Sequence, residues 1–139
     1  MLKGKSINEM EIGEKATFTK TVTEADVVNY AGITGDFNPA HINEEYAKDT
    51  MFEGRIAHGM LGAGLISTVL GTKLPGPGAI YVKQELEFTL PVQINDTITA
   101  EVEVIEKNEE KNRVTMQTTC TNQKDKVVIN GKAVLMPPK

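Results

Sequence analysis

The feature that most constrains this chain is a run of twelve residues at positions 59–70, GMLGAGLISTVL, which is apolar all round. A helix without a polar face has to be buried against other protein. Twelve residues at about 1.5 Å each rise roughly 18 Å, too short to cross a bilayer core of about 30 Å. The run therefore predicts a buried helix in a globular protein, wrapped by the rest of the chain.

What wraps this helix is indicated by the C-terminal half of the sequence. Beyond a glycine- and proline-rich loop, apolar and polar residues alternate, with Gln84 as the one polar residue on the apolar face. A period of two is typical of strands with one buried face. Four strands are predicted, at residues 80–90, 98–104, 114–120 and 127–136. Their short polar connections favour antiparallel pairing.

The N-terminal part predicts one more strand, at residues 16–22, and two short helices. The first helix begins after Thr23, which has a carboxylate three residues later as in a capping box, and ends near the break at Gly35. The second occupies residues 43–48, with Asn43 as its cap. The prediction is therefore a single α+β domain spanning residues 1–139, in which a curved antiparallel sheet wraps one long apolar helix.

Composition narrows the possible partners. The formal net charge of −4 provides no basic surface for nucleic acid. No apolar leader follows Met1, so we expect no signal peptide, no membrane association and a cytoplasmic location. The single cysteine, Cys120, is predicted to be a buried thiol on a strand and agrees with a reducing compartment. The two histidines have no metal-binding spacing, so no metal site is predicted.

An acid and an imidazole lie close together in the sequence at Asp36 and His41, on either side of Asn38-Pro39. A turn through this proline, which we expect to be irregular, can aim both side chains at one water molecule. Each residue also has an ordinary structural alternative. Asp36 fits an Asx turn, and His41 fits a hydrogen-bonded core group.

The string around this pair resembles the hydratase signature of the MaoC-like family. Its matching residues, in order and spacing, are Gly35, Asp36, Asn38, Pro39, His41 and Asn43. Residues 52–60, FEGRIAHGM, resemble the start of the family's central helix. The resemblance covers nearly the whole chain and implies a hot-dog fold. It also implies (R)-specific enoyl-CoA hydratase, or 3-hydroxyacyl-CoA dehydratase, activity on an acyl-CoA thioester, in a homodimer whose two sheets join.

By this resemblance Asp36 and His41 are the catalytic pair, Asn38 supports them, and Ser67 is the family's helix serine beside the site. Independently, the start of the long helix suggests that the Gly59 N–H binds the developing thioester oxyanion. The structural alternatives are close packing at Gly59 and a back-bonded hydroxyl at Ser67. His58 is interpreted as a structural residue before the helix, and no cofactor is expected beyond the coenzyme A of the substrate.

Other functions remain open at this point, because the same fold serves several of them. They are dehydration of acyl groups on carrier protein, thioester hydrolysis, and acyl binding without catalysis. Three scattered cations, Arg55, Lys73 and Lys83, could meet phosphates or solvate the surface, and we do not assign them to a site.

Overall fold

A computed structural model describes all residues from 1 to 139 and contains five strands and four α-helices. After a 3-10 turn at Ile7–Glu9, the elements are β1 (Lys15–Thr21), α1 (Glu24–Thr34), α2 (Pro39–Ile42), α3 (Glu44–Ala47), α4 (Gly59–Thr72), β2 (Ile80–Phe88), β3 (Thr97–Asn108), β4 (Arg113–Thr121) and β5 (Val127–Met136). All five predicted strands are present, and the α+β class is confirmed. No helix combines the length and the apolar character needed to span a membrane.

The five strands form one sheet in the order β1-β3-β4-β5-β2, and every neighbouring pair is antiparallel. α4 packs against β3, β1 and β4. The alternation predicted for β3 and β4 is confirmed, because every second residue of both strands is buried over most of their length. The core lies between these strands and the buried face of α4, where Ile66 and Val69 are fully covered.

The capping box predicted for α1 is confirmed. The Thr23 hydroxyl accepts a hydrogen bond from the Asp26 N–H at 3.2 Å, and the Asp26 carboxylate accepts one from the Thr23 N–H at 2.9 Å. At the other end Gly35 stops the helix in the left-handed conformation, with φ of 80°, where a glycine is favoured. Asp36 directly follows Gly35, so the end of α1 fixes the position of the candidate acid.

Two expectations about buried faces were wrong for the isolated chain. α4 was predicted to be buried all round, yet Met60, Gly64 and Ser67 lie on an exposed face. The alternation of β2 predicted a buried face, yet Ile80 and Val82 are about half exposed. Both differences follow from where α4 lies: it packs mainly on β3, β1 and β4, so within one chain little covers the apolar face of β2 or the far side of α4. Periodicity shows that a face is apolar but not what covers it.

The stretch through Pro39 is more regular than predicted. Instead of continuous irregular backbone, a single helical turn forms at Pro39–Ile42, with Asn38 as its N-cap. Proline suits the first position of a helix, because its missing N–H would have no partner there and its φ is already helical. His41 therefore projects from a short helix, whereas Asp36 lies in the irregular segment before it. α3 begins after Asn43, the predicted cap.

Candidate active site

Asp36 lies in an exposed turn between α1 and α2. Its Oδ1 accepts a hydrogen bond from the Asn38 N–H at 3.2 Å, and the Asn38 Oδ1 accepts one from the Ala40 N–H at 3.0 Å. The Asx turn proposed as a structural alternative is therefore real. It uses one carboxylate oxygen, and Oδ2 accepts no hydrogen bond from the protein. Asp36 can thus serve the turn and still offer an oxygen for chemistry.

His41 is half-buried on α2 and is held at its edge and at its backbone. Its Nδ1 lies 2.8 Å from the Ile56 carbonyl oxygen, which can only accept, so Nδ1 carries the proton of the neutral ring and Nε2 keeps its lone pair. The Arg55 Nε donates to the His41 carbonyl oxygen at 2.7 Å, while the Arg55 guanidinium pairs with Glu24 at 2.6 Å. The imidazole therefore has a fixed orientation with Nε2 free of protein partners.

The two residues converge as the sequence predicted, and a third residue joins them. One carboxylate oxygen of Asp36 and one ring nitrogen from each of His41 and His58 lie within 4.8 Å of one another. The three groups suit a metal ion poorly. The two imidazole rings stack, with centroids 3.9 Å apart and planes inclined by 29°, so their in-plane lone pairs cannot converge on a nearby ion. The cluster suits proton chemistry better.

An apolar cavity of about 560 Å³ opens beside this cluster. Thirteen residues line it, nine of them hydrophobic, and His41 is one of the thirteen. Phe52, Phe88 and Ile129 supply apolar wall, and Gly59 brings the start of α4 to the cavity. A concave apolar site with a few converging polar groups is the usual form of a small-molecule site. This lining suits an apolar ligand that meets the His41 side chain.

Gly59 is the first residue of α4, and its N–H donates to no protein acceptor. Unpaired N–H groups at a helix start, with the helix dipole behind them, favour negative charge. The packing alternative also holds at this position. A β-carbon added to Gly59 would lie 2.8 Å from the Phe88 ring. The glycine therefore both admits Phe88 and leaves a free donor at the cavity.

The structure does not bring Ser67 to the cavity of the isolated chain. Ser67 lies on the exposed face of α4, more than two turns from Gly59, and makes no side-chain hydrogen bond. The back-bonding proposed as its alternative occurs instead at Thr68 and Thr72, whose hydroxyls donate to carbonyl oxygens four residues earlier. The supporting role of Ser67 stays a prediction.

His58 is the residue whose contacts sequence reasoning missed. It is only 3% exposed, and its Nε2 lies 2.9 Å from the Asp36 carbonyl oxygen, 22 residues away in the chain. The sequence offered one signal, its place directly before Gly59 at the start of the apolar run. That position indicated the helix start but not the contact with Asp36.

The three scattered cations are all engaged within the chain. Arg55 holds His41 and Glu24 as described, Lys73 donates to the Thr17 carbonyl oxygen, and Lys83 pairs with Glu85. None of the three is therefore assigned to a phosphate.

Comparison with known proteins identifies relatives along most of the chain. Residues 8–126 match the family described as MaoC like domain. An (R)-specific enoyl-CoA hydratase of Rhodospirillum rubrum is 55% identical over 130 residues, which cover 94% of this chain and 90% of that protein. A 3-hydroxybutyryl-CoA dehydratase of Methylorubrum extorquens is 47% identical over 131 residues, covering 94% and 83%. The unliganded R-hydratase PhaJ1 of Pseudomonas aeruginosa superposes with a TM-score of 0.94 at 45% identity, covering 99% of this chain and 88% of that one.

Proposed function

Because this chain belongs to the MaoC-like family, we propose that it is an (R)-specific enoyl-CoA hydratase, which adds water reversibly across the double bond of a trans-2-enoyl thioester. In reverse it dehydrates a 3-hydroxyacyl-CoA. The observation that supports this most is the convergence of Asp36 and His41 beside an apolar cavity that Gly59, at the start of α4, also lines. The reaction needs three groups: an acid, a base, and an N–H that donates a hydrogen bond to the oxyanion.

Hydration requires two proton transfers and one stabilised charge. The oxygen of water forms a bond to Cβ, the water gives up a proton, and the π electrons move toward the thioester to give an enolate. A proton is then added at Cα. The free Nε2 of His41 and the unpaired Oδ2 of Asp36 can cover both transfers, a contribution typically of about 10²–10⁴-fold in rate.

The thioester oxygen becomes negative as the enolate forms. We assign its stabilisation to the Gly59 N–H, because this donor has no protein acceptor and lies at the positive end of α4. Asn38 supports the site indirectly, since it caps α2 and fixes the turn that carries Asp36. Hydration causes no net oxidation or reduction of the substrate, so the proposal invokes no cofactor beyond the coenzyme A of the substrate.

We also propose that the active form is a homodimer joined along β2. This edge strand has unpaired backbone groups and exposes the side chains of Ile80 and Val82, and open apolar edges tend to be covered. A second copy would also approach the exposed face of α4, where Ser67 lies. Val82→Lys should give a monomer by sedimentation analysis, whereas the exposed Lys83→Ala should not. A monomeric wild type would contradict this proposal.

The cytoplasmic location expected from the sequence stays a prediction.

Incubation with crotonyl-CoA tests the activity directly. Loss of enoyl absorbance without release of free thiol indicates hydration, and chiral analysis of the product should give the (R)-3-hydroxyacyl thioester. Release of free thiol would indicate a thioesterase. If the absorbance stays constant and no thiol is released, the protein is an acyl-binding domain without catalytic activity. Comparing crotonyl-CoA with the crotonyl carrier-protein thioester separates the two substrate carriers. A strong preference for the carrier protein would contradict the coenzyme A assignment.

A further inference from the structure

His58 contacts both members of the catalytic pair without lying in the signature string that contains them. Its Nε2 lies 2.9 Å from the Asp36 carbonyl oxygen, and its ring stacks on His41 with centroids 3.9 Å apart. Tyr30 packs on the same ring, with centroids 4.6 Å apart. The His58 side chain therefore contacts the acid and the imidazole, and in the chain it directly precedes Gly59, whose N–H is the proposed oxyanion-binding group.

The hydrogen bonds define which nitrogen of His58 carries the proton. A carbonyl oxygen only accepts, so Nε2 must donate to Asp36. The other nitrogen, Nδ1, is buried without a hydrogen-bond partner. Burial keeps Nδ1 out of reach of a substrate. His58 is therefore built to hold its neighbours in place and not to exchange protons with a substrate.

We propose that His58 is a positioning residue for the hydration reaction: its Nε2–H fixes the Asp36 backbone while its ring face fixes the His41 imidazole. This inference rests on the proposed function. His41 is then held by three contacts, on its edge by Ile56, at its backbone by Arg55 and on its face by His58. Without His58 the Asp36 carboxylate and the His41 imidazole can turn away from the water molecule that adds to the substrate. A misplacement of about 1 Å can reduce the rate about 100-fold.

Two substitutions separate the two contacts. His58→Gln can keep a donor near the position of Nε2 but loses the aromatic face, whereas His58→Phe keeps a ring and loses the donor. His58→Ala loses both. We expect kcat to fall about 10- to 100-fold in His58→Ala and about 3- to 10-fold in each of the other two, with KM changed less than about threefold. Thr118→Val is the matched control, because Thr118 is the other buried polar residue and lies outside the site.

The chain has only two histidines, so its ring nitrogens can be observed by NMR after ¹⁵N-histidine labelling. We expect His58 protonated at Nε2 and His41 at Nδ1 in the wild type. A His58 proton on Nδ1 would overturn the proposal, as would a loss of thermal stability with unchanged kcat in all three variants, the pattern expected of Thr118→Val. If the wild type is active and either of these results is obtained, only this inference is overturned. If the wild type is inactive, the proposed function is overturned, and the NMR measurement still tests the geometry of His58.

Discussion

The ring of Phe88 lies directly against Gly59, so that a β-carbon on Gly59 would come within 2.8 Å of its Cδ1 and Cε1 atoms. Phe88 ends the edge strand β2, and Gly59 begins α4, so this contact joins two elements that both border the cavity. We expect Gly59→Ala to push the Phe88 ring into the cavity and lower kcat/KM about 10- to 100-fold. Adding Phe88→Ala should recover most of this loss in a double-mutant cycle.

The Phe88→Ala variant also allows a test of the Gly59 N–H as the group that binds the oxyanion. Proline at position 59 removes the N–H, suits the first position of a helix, and follows a residue with ψ of 134°, as proline requires. In the Phe88→Ala background we therefore expect Gly59→Pro to show a kcat about 10²–10³ below that of Gly59→Ala. Circular dichroism should show the same helix content in both. Equal turnover of the two variants would remove the Gly59 N–H from the mechanism.

Asp36→Asn and His41→Gln test the catalytic pair itself. We expect each to lower kcat by at least about two orders of magnitude, because each removes a proton acceptor. Asp36→Asn keeps an oxygen for the Asx turn with Asn38, so its melting temperature should stay close to that of the wild type. Turnover with crotonyl-CoA is the measurement. Near-normal activity in either variant would exclude that residue from proton transfer.

The parts of the fold that sequence predicted well depend on neighbours in the chain. Thr23 and Asp26 are three residues apart, and a capping box needs no more distant partner. The Asp36 and His41 pair was found for the same reason. The contact between His58 and Asp36 was missed because it spans 22 residues and follows no period. The exposed faces of α4 and β2 were missed because an apolar pattern does not show which other part of the protein packs against it.

Thr23→Ala tests the capping box of α1. It removes the hydroxyl that accepts from Asp26, so we expect the free energy of unfolding to fall by about 1 kcal/mol in urea titrations. Thr23→Ser keeps the hydroxyl and is the matched control. Because the cap lies outside the site, kcat at 25 °C should not change. Equal stability of the alanine and serine variants would show that the cap contributes little.

Cys120 offers a test of the core. Its thiol is fully buried on β4 and donates to the Gly62 carbonyl oxygen at 3.8 Å, and burial raises its pKa to about 12. The thiolate is the reactive form, so the native protein should resist thiol reagents and react fully only when denatured. The free-thiol assay for hydrolysis would then have no background from the protein. Rapid labelling of the native chain would contradict the packing around α4.

The raised pKa of Cys120 also predicts a pH dependence of stability. Between pH 9 and about 12 the native thiol keeps a proton that the unfolded thiol has lost. Since the native state then binds more protons, the free energy of unfolding falls as pH rises, by at most about 1.4 kcal/mol per pH unit from this group. Other groups titrate in the same range, so Cys120→Ala is the reference. The stability of the wild type relative to this variant should decline from pH 8 to pH 11, and a constant difference would show that the thiol ionises equally in both states.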